Sequence, residues 1–345
     1  MSTILSIDIG SNTVKIAAGE FKKSNLTIQK VISAITPEYS MEKGRIKNQS
    51  ALVELISDAM KNHNIKASHA ALTINAVGAV VRDIDLPNGK PKELEAMIRN
   101  EMIRNYHVDP ADVIQFKAVD SFVNESGSSM ITYRVVALDS DLVEEYHEFA
   151  KNLPFKSIAM DINMNSIDKL LQLCSNVNGT DIKEKTFLFM DFGGKVTSVY
   201  LHSGGKQRFF RQMELGSDEI EKRIGDIALI QPSEVKKSKE SGYNYFSQDP
   251  SNEKYFSVLK PFFYELTDEL RTILRFYTTR YKAGGVDQIF LFGSGSQMEG
   301  LPEYLESNLS LPAERIHSLG NISGTLSEQD MLTHMNAFGA MIRTV

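Results

Sequence analysis

Short apolar runs rich in β-branched residues alternate with polar turns along the first 35 residues. We predict three strands here, at 3–9, 13–21 and 25–35, and we expect them to form an antiparallel meander. Residues 49–63 then carry apolar side chains at helical spacing, with Ser50 as the expected N-cap. A further strand is predicted at about 69–76.

The segment from 78 to 153 has a different pattern, in which strands and helices alternate with short turns. We predict strands and helices in the order βαββα, at 79–86, 92–106, 113–123, 130–138 and 140–152. That set of elements is complete in itself, and it therefore indicates an inserted subdomain.

The second half of the chain contains the longest apolar stripe. We predict a strand at 187–190, helices at 219–230 and 233–239, a loop at 243–252, a long helix at 256–282 and a buried strand at 288–292. The stripe on the long helix favours a core position over an aromatic ligand cage. The segment 336–343 is interpreted as a closing core helix and not as a membrane anchor.

The amino-acid composition excludes several classes of function. The 345 residues are 42% hydrophobic, enough for two ordinary domains, and 44 acidic against 38 basic residues give a net charge of −6. Without a block of basic residues, nucleic acid is not expected as a partner. The single cysteine, Cys174, excludes an intrachain disulfide and favours a reducing compartment, and the histidines lack zinc-site spacing. No apolar run approaches the roughly 18 residues needed to cross a bilayer, so we expect no direct membrane insertion.

The candidate chemistry lies in a motif that occurs twice. Asp8-Ile9-Gly10-Ser11-Asn12-Thr13-Val14-Lys15 and Asp191-Phe192-Gly193-Gly194-Lys195-Val196-Thr197-Ser198 each follow a short apolar strand. A carboxylate at a strand end followed by a glycine predicts a tight hairpin whose exposed turn amides can bind phosphate. Each aspartate can also hold a hydrated Mg²⁺, although turn capping is the alternative role.

A third signal follows the buried strand at 288–292. The loop Gly293-Ser294-Gly295-Ser296 precedes a helix start in which Pro302 suits the first turn. Met298 excludes the G-x-G-x-x-G pattern, and the lysine of a P-loop is absent. Alone, such a loop is typical of a flexible turn.

The order of these three signals resembles that of the phosphate-one, phosphate-two and adenosine elements of the actin-like ATPases. Within that superfamily the chain resembles the PilM family of type IV pilus assembly, with FtsA as a near relative. Four local stretches support this, namely Lys43-Gly44-Arg45-Ile46, Asp83-Ile84-Asp85-Leu86-Pro87, Tyr106-His107-Val108-Asp109-Pro110 and Met160-Asp161-Ile162-Asn163. The resemblance implies an α/β fold of the actin-like (ribonuclease H-like) two-lobed ATPase class with an inserted βαββα subdomain.

The resemblance also implies a division of the chain into lobes. Residues 1–77 and 154–185 would form lobe I, 78–153 the inserted subdomain, and 186–330 lobe II, while 331–345 would return as a helix on lobe I.

The cofactors implied by the resemblance are ATP and Mg²⁺, held between the two hairpins. Asp8 and Asp191 would orient the metal through water, while Lys15 would add positive charge and Thr197 a hydroxyl near the phosphates. The implied phosphate and adenosine contacts are Gly10, Ser11, Asn12, Gly193, Gly194, Gly216, Gly293, Ser294, Gly295 and Ser296. Glu234 and Lys237 would reach the ribose or base, or else would form a solvated surface ion pair.

Hydrolysis is expected to be slow or absent. Asp161 is the candidate catalytic residue in the segment joining the halves, although it could instead cap a helix, and Asn163 cannot act as a base. Lys195 stands where the family usually has a small or polar residue.

The partner implied by the resemblance is the N-terminal cytoplasmic peptide of a PilN-like membrane protein, bound on the inserted subdomain. The protein would then be cytoplasmic and held at the inner face of the membrane through that partner. The candidate sheet face comprises Phe116, Val119, Phe122, Ile131 and Tyr133, which could equally pack in a core. A homodimer or filament is possible, and the competing functions are an FtsA-like division scaffold and a sugar or acetate kinase.

Overall fold

The computed structural model describes residues 3–247, 249–281 and 284–343, with the main chain alone for 251 and 281. The strands are β1 (Ile4–Ile9), β2 (Thr13–Lys22), β3 (Asn25–Ile35), β4 (Met41–Glu42), β5 (Arg45–Ile46), β6 (His69–Ile74), β7 (Val80–Pro87), β8 (Val113–Val123), β9 (Ser129–Leu138), β10 (Ser157–Ile162), β11 (Asn176–Val177), β12 (Thr180–Asp181), β13 (Thr186–Phe192), β14 (Thr197–Ser203), β15 (Lys206–Met213), β16 (Gln288–Phe292), β17 (Ala313–Arg315) and β18 (Ile322–Gly324). The α-helices are α1 (Gln49–Asn62), α2 (Pro91–Tyr106), α3 (Ser140–Lys151), α4 (Asn163–Leu173), α5 (Ser217–Ala228), α6 (Pro232–Glu240), α7 (Glu253–Tyr281), α8 (Leu301–Leu309), α9 (Glu328–Thr333) and α10 (Met335–Met341).

Two compact units make up the chain. The larger contains Met1–Glu38, Glu54–Asn75 and Phe155–Val345, and the smaller contains Tyr39–Val53 and Ala76–Pro154. The lobe limits drawn from the resemblance remain a prediction, and their outermost residues, 1–2 and 344–345, lie outside the described ones.

Two sheets of the larger unit repeat one strand arrangement. In the first, β1 pairs antiparallel with β2 and parallel with β6, giving the order β10-β6-β1-β2-β3-β18. In the second, β13 pairs antiparallel with β14 and parallel with β16, giving the order β15-β14-β13-β16-β17. In reverse order, β17-β16-β13-β14-β15, the second sheet matches β10-β6-β1-β2-β3 of the first sheet strand for strand. The central strands are almost continuously apolar because they are buried on both faces.

Helix α7 forms the core behind the second sheet. Its buried stripe, which includes Leu259, Phe263 and Leu270, packs in one cluster with residues of β13, β14 and β16. The helix begins at Glu253, three residues before the predicted start, and its predicted last residue, Lys282, lies outside the described residues.

The closing segment of the chain folds as two helices, α9 and α10. Every residue of α10 is buried, and the helix packs on α4 and on strands of the first sheet. A Cβ on Gly339 would lie 2.0 Å from the carbonyl oxygen of Ser166, so glycine is needed for this close approach of α10 to α4.

The smaller unit contains the predicted βαββα order, as β7-α2-β8-β9-α3, with the antiparallel sheet order β7-β9-β8. Leu94, Ile98 and Met102 of α2 cover one sheet face, in one cluster with Tyr133 and Val135. The Asp139 carboxylate caps α3 by accepting from the backbone N–H groups at positions 141 and 142.

The candidate sheet face is not continuous, which corrects the sequence interpretation. Phe116 pairs with Val135, but a bulge at Val119 shifts the register so that Phe122 pairs with Met130. One extra residue moves every later side chain to the other face, so Phe122 lies on the opposite face from Phe116.

The predicted N-cap of α1 was also wrong. The Asn48 side chain accepts from the backbone N–H of Ala51 at 3.1 Å, and Ser50 donates its hydroxyl to Asn48. Asn48 therefore occupies the capping position, because it directly precedes the first helical residue.

Candidate functional site

The two repeated motifs fold into the same turn. The backbone N–H of Gly10 donates to the carbonyl of Thr13 at 3.1 Å, and that of Gly193 donates to the carbonyl of Val196 at 3.0 Å. A Cβ on either glycine would lie 2.8 Å from the accepting oxygen. Both turns therefore require glycine at this position, which is the physical reason for the repeated Asp-x-Gly spacing.

The turns expose backbone donors. The N–H groups of Ser11, Asn12, Gly194 and Lys195 donate to no backbone carbonyl among the described residues. Successive unpaired amides in a turn form a concave, electropositive nest that suits an anion.

One cavity of about 70 Å³ lies between the two turns. It brings together most of the predicted phosphate and metal residues, and its lining includes Asp8, Gly10, Ser11, Asn12, Lys15, Asn75, Asn163, Asp191, Gly193, Gly194, Lys195, Ser198, Ser294 and Asn336. The sequence analysis assigned no role to Asn75 or Asn336, which no local motif marks, or to Ser198, although Ser198 ends the second repeated motif.

Asp8 is held by its neighbours on the first sheet. Thr73 donates its hydroxyl to one carboxylate oxygen at 3.0 Å, and the ammonium of Lys15 lies 3.7 Å from the other. Lys15 is directly opposite Asp8 in the β1–β2 ladder, so the hairpin register itself sets this contact.

Asp191 occupies the equivalent position on the second sheet. The amide Nδ2 of Asn336 donates to its carboxylate at 3.1 Å. The pKa of Asp191 is raised to about 6, chiefly by burial and in smaller part by the charge of Asp8, while Lys15 and the hydrogen bond from Asn336 oppose the rise. The two carboxylates thus face a shared space in which their ionised forms repel each other, a setting that favours a cation between them.

A third carboxylate, Asp218, joins the tips of the two turns. Its side chain accepts from Asn12 Nδ2 of the first turn at 2.6 Å, and it lies 3.0 Å from Lys195 Nζ of the second. Its backbone N–H donates to the carbonyl of Gly194 at 2.9 Å. A Cβ on Gly194 would lie 2.5 Å from Asn12 Nδ2, so the close approach of the tips depends on this glycine. We call this set of contacts the Asp218 bridge.

Thr197 and Gly216 lie behind the second turn. The Thr197 hydroxyl donates to the carbonyl of Leu215 at 2.5 Å and is fully buried, and the neighbouring Ser198 lines the cavity in its place. A Cβ on Gly216 would lie 2.1 Å from the carbonyl oxygen of Gly194, so Gly216 supports the turn by close backbone packing.

Glu234 and Lys237 lie on the exposed face of α6. The Glu234 carboxylate accepts from the backbone N–H of Gln231 at 3.1 Å, and so forms part of a capping box. The structure does not bring either side chain into the cavity. The buried ion pair in this region is instead Lys239 with Glu221, at 2.5 Å.

The glycine-serine loop is a 3₁₀ turn at Ser294–Gln297. Ser294 reaches the cavity, whereas the Ser296 hydroxyl is buried and donates to the carbonyl of Gly293 at 2.6 Å. Gly293 has φ +88°, and a Cβ there would lie 2.3 Å from a carboxylate oxygen of Asp191, while a Cβ on Gly295 would lie 2.7 Å from the carbonyl oxygen of Phe192. The glycines therefore let this loop pack against the end of β13.

Asp161 lies outside the cavity lining. Its carboxylate accepts from Asn165 at 2.8 Å and forms an ion pair with Lys169 at 2.6 Å. Asp161 thus has a structural role, because its contacts are with residues of α4. Asn163, in contrast, lies on the cavity wall.

The family model described as "Type IV pilus assembly protein PilM" matches residues 6–344. The chain belongs to the PilM family. The prediction of the family is confirmed, and the coarse role that follows is type IV pilus assembly.

Solved structures confirm the actin-like fold. A PilM–PilN type IV pilus biogenesis complex aligns with a TM-score of 0.82 at 19% identity, over 98% of this chain and 97% of that one. The ethanolamine utilization protein EutJ from Carboxydothermus hydrogenoformans aligns with a TM-score of 0.55 at 11% identity, over 99% of this chain and 89% of that one. MreB5 of Spiroplasma citri bound to AMPPNP also aligns with a TM-score of 0.55 at 12% identity, over 98% of this chain and 95% of that one.

Within the part of the chain that the structure describes, no helix combines the length and apolar character needed to cross a membrane.

Proposed function

We propose that this chain is an actin-like ATP-binding protein of type IV pilus assembly, which holds Mg-ATP between its two repeated turns. The observation that carries the proposal is the pair of equivalent turns whose aspartates, Asp8 and Asp191, line one cavity. The likeness to MreB5 of Spiroplasma citri, solved with AMPPNP and with ADP, supports the choice of nucleotide.

The residues around the cavity fit a magnesium ion. Mg²⁺ takes oxygen ligands and is usually held by one or two carboxylates together with water and substrate phosphates. Within the described residues, no three His, Cys, Asp or Glu side chains form a metal cluster. Asp8 and Asp191 would therefore hold the ion through water, and the ion would supply charge neutralisation for the phosphates.

The cavity as it stands is too small for a nucleotide. Its volume of about 70 Å³ falls below the roughly 300–1,000 Å³ of small-molecule sites. Nucleotide entry therefore requires the two turns to separate, and the Asp218 bridge must open. The free amides of the turns, together with Lys15 and Lys195, would then bind the phosphates.

We further propose that hydrolysis is slow or absent. The carboxylate nearest in sequence to the expected base position, Asp161, is engaged by Lys169. Asn163 lines the cavity, but a side-chain amide does not accept a proton as a general base.

The smaller unit is proposed to bind the N-terminal cytoplasmic peptide of a PilN-like membrane protein, which would hold the chain at the inner face of the membrane. The likeness to the PilM–PilN complex supports this partner. Phe122 is 42% exposed and Val123 is 69% exposed at the end of β8, so both can contact a peptide. The family match favours this assembly role over a division scaffold or a kinase.

Calorimetry tests the nucleotide site. The wild-type protein should release heat on binding Mg-ATP, and Asp8→Asn and Asp191→Asn should each weaken that binding. A control, Asp226→Asn, changes an exposed carboxylate of α5 away from the cavity. Absence of binding by the wild type would refute the proposal.

Peptide capture tests the partner site. Phe122→Asp should reduce binding of a PilN-type N-terminal peptide, whereas Met97→Asp, an equally exposed apolar position of the smaller unit on α2, should not. Equal losses in both variants would argue against a site at the end of β8.

A further inference from the structure

Two amide oxygens on the cavity wall are unsatisfied. Asn163 Oδ1 and Asn336 Oδ1 have no hydrogen-bond partner within the described part of the chain, and their residues are 9% and 6% exposed. Both residues line the cavity between the turns. Native structures rarely leave a buried polar oxygen without a partner, and these two oxygens belong to residues that line the cavity, so each can accept from a ligand or from its bound water.

The orientation of the Asn336 amide is fixed by its neighbour. Its Nδ2 donates to the carboxylate of Asp191 at 3.1 Å, and a carboxylate can only accept at that position. The amide oxygen must therefore point away from that contact. Asn336 is thus both a donor to Asp191 and an unpaired acceptor in the same cavity.

The chemistry of the unpaired atoms defines the ligand. An amide oxygen cannot bind a phosphate oxygen, because both are acceptors. Two ionisable carboxylates and two neutral amide oxygens instead form a set that suits a hard divalent cation or its bound water.

We propose that Asn163 and Asn336 are positioning residues of the Mg²⁺ site, and that their amide oxygens would hold the ion through its bound water molecules alongside Asp8 and Asp191. This inference rests on the proposed function. It assigns the ion to residues of four separate elements, because Asp8 lies on β1, Asp191 on β13, Asn163 at the start of α4 and Asn336 on α10. The closing helix thereby becomes part of the nucleotide site.

The test compares nucleotide affinity with Mg²⁺ and with EDTA for Asn163→Leu and Asn336→Leu. Each substitution keeps the size of the side chain and removes the oxygen. We expect the Mg²⁺-dependent gain in affinity to fall by about tenfold in each variant, the usual loss when an outer-shell partner is removed. Affinity in EDTA should change by less than about twofold, because the turn amides still bind the phosphates.

The matched control is Asn75→Leu. Asn75 lines the same cavity, but its amide oxygen already accepts from Gln212 at 2.8 Å. This variant should keep the Mg²⁺-dependent gain. Equal losses in all three variants, or an unchanged gain in Asn163→Leu and Asn336→Leu, would overturn the inference.

A second variant, Asn336→Asp, keeps the shape of the side chain and adds a charge. Mg²⁺ or Mn²⁺ without nucleotide should raise the melting temperature of this variant more than that of the wild type, and an equal or smaller rise would count against the inference. This measurement decides the point even if the wild type binds no nucleotide, a result that would refute the proposed function by itself.

Discussion

Removal of the Asp218 bridge should change nucleotide affinity by an amount that follows from its two side-chain contacts. Asp218→Ala removes both the hydrogen bond from Asn12 and the ion pair with Lys195. The Lys195 side chain is 61% exposed, so that pair contributes at most about 1 kcal/mol. The hydrogen bond from Asn12 to the Asp218 carboxylate contributes about 1 kcal/mol, less than a fully buried bond to a charged group, because the pair is only partly buried. The bridge therefore stabilises the closed form by about 1–2 kcal/mol.

Nucleotide binding must overcome that stabilisation, because the small cavity cannot accept a triphosphate while the bridge is closed. Removing the bridge should therefore tighten Mg-nucleotide binding by about 5- to 30-fold, since 1.4 kcal/mol corresponds to a factor of ten. Removing a negative charge beside the proposed phosphate site should act in the same direction.

The assay is equilibrium titration with a fluorescent ATP analogue, alongside melting temperatures without nucleotide. Asp218→Ala should bind more tightly and melt at a lower temperature, whereas Asp226→Ala on the exposed side of the same helix should match the wild type. Weaker binding by Asp218→Ala would refute the reasoning, because it would mean that the carboxylate assists the ligand.

Three further predictions concern buried groups. Lys239→Met should lower the free energy of unfolding in urea by about 3–5 kcal/mol by leaving Glu221 buried and unpaired, and adding Glu221→Leu should recover most of the loss. The pKa of Asp191 is raised to about 6 by folding, so ionisation of this carboxyl costs stability as the pH rises from about 4 to 6. Without ligand, Asp191→Asn should therefore gain stability over the wild type at pH 7.5, on the order of 3 kcal/mol, and should lose most of that advantage at pH 4; a pH-independent difference would contradict the assignment. Gly293→Ala should cost more than about 2 kcal/mol of unfolding free energy, because it adds a clash to positive-φ strain, whereas Gly242→Ala at φ +85° in open space should cost about 1 kcal/mol.

Strands and tight turns were predicted well from the sequence, because each depends on residues that lie close together in the chain. The three strands of the first meander, the strand at 288–292 and both Asp-x-Gly hairpins follow from alternation and turn chemistry within short windows. The confirmed actin-like fold and PilM family rest on the order of those same signals.

Residues that depend on long-range packing were not predictable in the same way. Asn336 reaches the site because α10 packs on α4 and the first sheet, and no spacing rule links it to Asp191. The bulge at Val119 places Phe122 on the opposite face from Phe116, although strict alternation would place these two residues on the same face. Asp218 had no motif of its own, and its role appears only when the two turn tips meet.

The repeated strand arrangement of the two sheets has a consequence for regulation. Each half of the larger unit carries one Asp-x-Gly turn, so neither half by itself holds both of the aspartates proposed to hold magnesium. Under the proposed function, nucleotide affinity would depend on the spacing between the halves, and a protein that shifts that spacing would alter the affinity without touching the nucleotide. By thermodynamic reciprocity, bound nucleotide would then alter the affinity for such a protein by the same factor. On the proposed function, the duplicated architecture would link nucleotide binding in the cavity to the binding of a partner protein elsewhere on the chain.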